Sequence, residues 1–198
     1  MEFKKTQKTG LFFGSFNPIH IGHLIIANHI VEHTDIDEVW LVVTPHNPHK
    51  KKATLLNDFQ RLTMVRLATE NYPKLKASNI EFDLPQPNYT INTLTVLQEK
   101  YPDKEFVLLM GEDNLASLPK WKNYEAILAY YQIYIYPRIH QKTVPDYLTT
   151  HAAIKKIKAP IIEISATQIR QDIKQGKNVR PLLPPEVFKY IEEMHFYK

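Results

Sequence analysis

Three runs of the chain are apolar without interruption, and each stops at residues that break regular structure. Leu11-Phe12-Phe13 runs into Gly14-Ser15-Phe16-Asn17-Pro18, Val39-Trp40-Leu41-Val42-Val43 into Thr44-Pro45, and Phe106 to Met110 into Gly111-Glu112-Asp113. Runs this short and this free of polar alternation suit strands covered on both faces, the condition inside a parallel sheet. Helical patterns lie between them. Gly22 to His33 places Leu24, Ile25, Ala27, Asn28 and Val31 on one expected face. Asn57 and Gln60 form a capping pair ahead of Phe59, Leu62, Val65 and Ala68, and Thr90 to Lys100 reads as another helix. Ile80 to Phe82 is expected as an edge strand, Ile133 to Tyr136 as a further strand and Ile161 to Ile164 as the last. Helices from Ser165 and from Pro185 to Met194 close the pattern. Strands alternating with helices predict an α/β fold, a parallel sheet with helices on both faces. Ligands of such sheets sit beyond the carboxyl ends of the strands.

The 198 residues are long enough for one domain, 1–198, with 1–9 a polar N-terminal tail and 165–198 a C-terminal helical part. Cysteine is absent, which excludes a disulfide scaffold, cysteine-ligated metals and a thiol nucleophile. No stretch approaches about 18 apolar residues, so no membrane partner and a cytoplasmic location are expected. The net charge of +4 suits an anionic partner. The five glycines form neither G-x-G-x-x-G nor G-x-x-x-x-G-K-[ST], so the two commonest phosphate loops are missing.

Two segments nevertheless suit phosphate. In the first, Gly14 and Ser15 lead through Phe16-Asn17-Pro18-Ile19 to His20, Gly22 and His23 at a helix start. Gly14 lets backbone approach a ligand, Gly22 leaves space between the histidines, and the helix N-terminus offers unpaired N–H groups to an anion. A tight turn bearing two surface histidines is the plainer alternative, and H-x-x-H lacks the glutamate and spacing of a zinc protease. In the second, Ser165 and Gln168 fit a capping box, while Thr167 and Arg170 add a hydroxyl and a guanidinium suited to polyphosphate. Asp113, just past a strand, suits either a ribose hydroxyl or a helix N-terminus.

Together, G-S-F-N-P-x-H-x-G-H and I-S-A-T-x-I-R resemble the nucleotidyltransferase superfamily, whose fold is Rossmann-like. Within it the chain is most similar to bacterial nicotinate mononucleotide adenylyltransferases. Arg61 to Ala68 resembles that family's R-x-x-M helix, Asn88 to Leu94 its Y-T-I-D-T-L segment, and Gly111 to Trp121 its G-x-D…L-P-x-W signature. The resemblance implies transfer of AMP from ATP to nicotinate mononucleotide in NAD biosynthesis, with pyrophosphate released. It implies that His20, His23 and Arg170 are catalytic. ATP would be held by Gly14, Ser15, Phe16, His20, Gly22, His23, Gly111, Asp113, Ser165, Thr167 and Arg170. Nicotinate mononucleotide would be held by Asn17, Asn47, Lys50, Tyr89, Thr90 and Trp121, with Trp121 stacked on the pyridine. Mg2+ would accompany ATP on phosphate oxygens and water, with no metal held by the protein alone.

Pro45 to Lys50 departs from the family's P-N-x-x-P-P-H-K by two residues, which leaves Lys51 as an alternative to Lys50. The rivals are sister adenylyltransferases acting on nicotinamide mononucleotide or phosphopantetheine. A nucleic-acid partner is not expected, because Lys155, Lys156 and Lys158 carry no interleaved aromatics. A homo-oligomer is left open.

Overall fold

The computed structural model describes residues 6–45, 55–139 and 143–198. Six parallel strands form one sheet: β1 (Gln7–Gly14), β2 (Glu38–Val43), β3 (Leu75–Ser78), β4 (Lys104–Gly111), β5 (Gln132–Tyr136) and β6 (Ile154–Lys156). Their order is β3-β2-β1-β4-β5-β6. Leu11 pairs with Trp40 on one side and Leu108 on the other, which sets β1 at the centre. The order reverses between β1 and β4, where crossovers leave in opposite directions and a crevice opens.

Alternation along the strands sorts the core into two layers. Phe12, Val39, Leu41, Val43, Val107, Leu109, Tyr134 and Tyr136 face one way. Leu11, Trp40, Val42, Phe106, Leu108, Met110, Ile133 and Ile135 face the other. The first layer meets α1 (Ile21–His33), α2 (Asp58–Thr69), α7 (Ala166–Lys174) and α8 (Pro185–Glu193), through Leu24, Leu62, Ile169 and Val187. The second meets α3 (Thr90–Lys100), α4 (Glu112–Leu115), α5 (Tyr124–Tyr130) and α6 (Asp146–Thr149), through Leu94, Leu115, Ile127 and Leu148. Each fully buried aliphatic side chain contributes roughly 1.5–3 kcal/mol, which is why β2 tolerates no exposed position. Its one charged residue, Glu38, receives Lys104 at 2.8 Å, Lys76 at 2.6 Å and the Trp40 indole at 2.8 Å. Burial pushes the Glu38 carboxyl up, but the two lysines outweigh it and hold it below the usual range.

Several expectations change. The edge strand on the β2 side is Leu75–Ser78, while Ile80 to Phe82 lies in a turn. The strand at the other edge is Ile154–Lys156, paired through Ile133 and Ile154, and Ile161 to Ile164 runs on without a ladder. Both real edges carry lysines, which exposed edges favour and which lower their strand signal in sequence. Lys155 and Lys156 are paired with Asp35 (3.2 Å) and Glu112 (3.4 Å). On α1, Ile26 and Ile30 join Leu24, Ala27 and Val31 inside, while Ile25 and Asn28 face out. Phe59 is also exposed, its ring against Phe82. The helix α5 occupies a stretch between Trp121 and β5 to which the sequence reading gives no element. The Asn57–Gln60 capping box is formed, with Phe59 N–H on Asn57 Oδ1 at 2.9 Å. That of Ser165 is not: Gln168 turns to Asp172 at 3.0 Å.

Candidate active site

The carboxyl ends of β1, β4 and β5 and the start of α7 surround a cavity of about 720 Å³. A second, of about 180 Å³, opens on the other side of Gly14 and Ser15, and both share Phe12, Phe13, Asn114 and Tyr136 as wall. They are two chambers meeting where β1 becomes a loop.

That loop is shaped from inside. Phe16 adopts φ 44°, a left-handed conformation unfavourable for a bulky residue, and its ring folds back beneath Gly14. A Cβ on Gly14 would stand 2.8 Å from that ring, so the glycine serves the protein's own packing. Phe16 also meets Phe12 and His23 edge-on and is 2% exposed, so it forms the floor of the larger chamber. Gly22 is likewise filled by protein, since its Cβ would meet Ile162 at 2.9 Å.

His20 and His23 stack at the start of α1 with ring centroids 3.7 Å apart. The His20 N–H donates to Nδ1 of His23 at 3.2 Å, which leaves Nε2 of His23 to carry its ring proton. His20 is 5% exposed, and burial with the nearby Arg138 charge lowers its pKa to about 4. At neutral pH His20 is therefore an uncharged hydrogen-bonding group. Its Nδ1 is buried without a hydrogen-bond partner among the described residues.

Arg170 reaches across from α7. One guanidinium nitrogen donates to the Asn17 carbonyl at 2.7 Å and another lies 3.3 Å from the Thr167 hydroxyl. With no side-chain cap from Ser165, the first turn of α7 presents its hydroxyls and N–H groups to the chamber. Opposite stands Arg138, two residues beyond β5, 3.5 Å from Asp113 and over the Tyr136 ring. Burial raises the Tyr136 phenol to about 12, against the pull of Arg138, so it stays a protonated donor. Gly111 makes this corner possible: a Cβ there would lie 2.5 Å from Asp113 Oδ1 and 3.1 Å from Arg138 Nε.

The larger chamber thus gathers Gly14, Ser15, Phe16, His20, Gly22, His23, Asp113, Ser165, Thr167 and Arg170 of the expected ATP set, with Gly111 just behind Asp113. The smaller gathers Tyr89, Thr90 and Trp121 of the expected nicotinate set. Asn17 is placed differently. It lines the larger chamber, is 1% exposed, and its side-chain oxygen accepts from Leu56 N–H (3.3 Å) and the Tyr197 hydroxyl (2.8 Å). Asn47 and Lys50, with Lys51, lie outside the described residues.

Sequence reasoning misses Arg138, although its position after a strand is a usable signal. It also misses Glu81 and Asn88 of the smaller chamber. Glu81 is 1% exposed, and burial holds its carboxyl up although Thr93 and Thr44 hydrogen-bond to it. Its carbonyl takes the Asn88 amide at 3.1 Å, which pins the approach to Tyr89 and Thr90. Arg61, read only as part of a helix motif, is fully buried and donates to the carbonyls of Ser15 (2.6 Å), Thr44 (3.0 Å) and Leu56 (3.1 Å).

The chain is 65% identical to a probable nicotinate-nucleotide adenylyltransferase of Flavobacterium psychrophilum, covering 97% of this chain and 100% of that protein. A protein of the same description from Bacteroides thetaiotaomicron is 43% identical, over 94% of this chain and 91% of its own. Among solved structures, Plasmodium falciparum nicotinic acid mononucleotide adenylyltransferase complexed with NaAD superposes with a TM-score of 0.82. At 20% identity, over 96% of this chain and 97% of that one, it speaks for the fold alone. Residues 11–172 match the family described as cytidylyltransferase-like, a span that takes in the second half of β1, every later strand and both phosphate-suited segments. With that span matched, the chain belongs to the cytidylyltransferase-like family.

Proposed function

We propose that the protein transfers AMP from ATP to the 5′-phosphate of nicotinate mononucleotide, giving nicotinate adenine dinucleotide and pyrophosphate. One observation carries the reading: two chambers of different character adjoin at Gly14 and Ser15. A chamber with Arg170, Arg138, Thr167 and Ser165 suits a nucleoside triphosphate. A smaller one walled by Trp121 and Tyr89 suits a flat heterocycle. Their junction is where an attacking phosphate and the α-phosphorus would meet. The activity named for relatives 65% and 62% identical over nearly their full length agrees with this.

The chemistry asks little of acid or base groups. A phosphate monoester with second pKa near 6 is largely dianionic at pH 7 and attacks without a general base. Catalysis then rests on alignment and on neutralising charge during in-line displacement. His20 and His23 would donate hydrogen bonds to ATP phosphates, and Arg170 with Ser165 and Thr167 would hold the departing pyrophosphate. Asp113 would receive the ribose hydroxyls. Mg2+ would enter with ATP on phosphate oxygens and water. Bound so, it would supply further neutralisation of phosphate charge.

Lys120 and Lys122 line the smaller chamber, with Lys122 4.7 Å from the Tyr89 ring centre, and favour a nicotinate carboxylate over the amide. The reading is tested by pyrophosphate release with ATP and each candidate acceptor. Nicotinate mononucleotide is expected to be used best; equal or better turnover of the amide would overturn the specificity, and preference for phosphopantetheine the function. His20→Ala should lower kcat roughly 10²–10³-fold, as loss of a placed donor does elsewhere. Trp121→Ala should mainly raise KM for the mononucleotide. Unchanged rates would remove either residue from its role.

A further inference from the structure

The last residues of the described chain reach back to the first loop of the sheet. After α8 the backbone turns through His195 at φ 53° and Tyr197 at φ 66°, two left-handed conformations at non-glycine residues. Phe196 between them is buried against Tyr190 and anchored by its N–H on the Ile191 carbonyl at 3.1 Å. Strained backbone of this kind persists where the surroundings fix it. Its result is to place the Tyr197 hydroxyl 2.8 Å from the side-chain oxygen of Asn17, 180 residues earlier. Burial holds the phenol well above its usual pKa, against the opposing charges of Arg170 and Arg61, so the hydroxyl is the donor.

Asn17 is where the site's tethers converge. Its side-chain oxygen also takes the Leu56 N–H at 3.3 Å, and its carbonyl takes Arg170 at 2.7 Å. Two residues away, Arg61 holds the Ser15 carbonyl at 2.6 Å. The bonds to the Asn17 carboxamide thus anchor, from the side-chain end, the same residue whose carbonyl Arg170 grips and whose chain leads into His20.

Resting on the ATP assignment of the larger chamber, we propose that Tyr197 is a positioning residue for the ATP half of the site, acting through the Asn17 carboxamide. It does not touch substrate. Asn17 and His20 line only the larger chamber, so the effect of losing the hydroxyl falls on ATP and spares the pyridine nucleotide.

The test compares the full-length protein with Tyr197→Phe, Asn17→Ala, Asn17→Asp and the Tyr197→Phe combinations with each. Pyrophosphate release is measured with ATP and nicotinate mononucleotide, and affinity for a non-hydrolysable ATP analogue by calorimetry. Tyr197→Phe should lower kcat/KM for ATP about tenfold, the scale of one lost hydrogen bond, with KM for the mononucleotide within twofold. Analogue affinity should fall several-fold. The loss should vanish in the Asn17→Ala background and persist in Asn17→Asp, which keeps the acceptor. Wild-type protein that binds the analogue yet releases no pyrophosphate would refute the proposed function, and the calorimetric cycle would still decide this inference. Equal loss toward both substrates, equal loss in both Asn17 backgrounds, or Tyr197→Phe within twofold of wild type would overturn it.

Discussion

Arg61→Met is the most demanding perturbation of this fold, because it separates a buried charge from the backbone it organises. The side chain is fully buried, and its nitrogens meet the carbonyls of Ser15, Thr44 and Leu56 and the carboxylate of Asp58. Methionine fills similar volume without donating a hydrogen bond, so three carbonyls from three separate segments lose their partner. Hydrogen bonds to charged groups contribute roughly 1.5–3 kcal/mol each, and simple addition over three gives about 4.5–9 kcal/mol. Relaxation and the released desolvation of the guanidinium reduce this, since removing a buried charge together with its demands recovers part of the loss. The expected destabilisation is therefore about 3–5 kcal/mol. Arg61→Lys keeps the charge but cannot span the same fork, and should cost about half as much. Urea unfolding followed by tryptophan fluorescence measures both, and with a slope of about 1–3 kcal/mol/M the methionine variant should shift its midpoint by about 1 M at least. A loss under about 1 kcal/mol for Arg61→Met would refute the reasoning, as would a lysine variant less stable than the methionine one.

Gly111→Ala places a Cβ 2.5 Å from Asp113 Oδ1, so the Asp113–Arg138 corner must open; a loss of about 1–3 kcal/mol and a several-fold higher KM for ATP are expected, and ATP kinetics equal to wild type would contradict it. His20 titrates near 4 in the fold against about 6.5 unfolded, so only the unfolded chain takes up its proton between these values. Its contribution to stability is intact above about pH 6.5 and falls by about 3 kcal/mol as pH drops to 4; a pH series of urea midpoints should be flatter in this window for His20→Asn, and parallel curves would count against the buried neutral imidazole.

What the sequence makes legible here is local. Leu11 to Phe13, Val39 to Val43 and Phe106 to Met110 announce themselves as central strands because they are covered on both faces, and the residues that break them mark the carboxyl edge where the chambers lie. The sheet's two edges stay hidden because Lys76, Lys155 and Lys156 interrupt them; pairing with a neighbour, not propensity, makes those segments strands. The glycines are found for the right loop and a different reason. Gly14 and Gly111 accommodate the Phe16 ring and the Asp113–Arg138 corner, contacts invisible until the chain is folded. Long-range tethers are least legible of all. Arg61 looks like any helix arginine, and nothing local ties Tyr197 to Asn17.

These tethers change how the charge of the site is to be understood. Of the basic side chains near the larger chamber, Arg61 spends its hydrogen bonds on backbone and on Asp58, and Arg170 commits one nitrogen to the Asn17 carbonyl. His20 is uncharged at neutral pH. Among the described residues, the positive charge lining the larger chamber is that of Arg138, 3.5 Å from Asp113, and of Arg170, whose other guanidinium nitrogen lies 3.3 Å from the Thr167 hydroxyl. Such groups discriminate by where their donors stand, because hydrogen bonds weaken steeply with distance and angle while the attraction between charges falls off more slowly. Buried groups that hold the Ser15–Asn17 backbone in place are then as consequential for catalysis as the groups that face the ligand: substitution at Tyr197 should be felt in the ATP half first, and substitution at Arg61, whose partners Ser15 and Thr44 also wall the smaller chamber, in both halves.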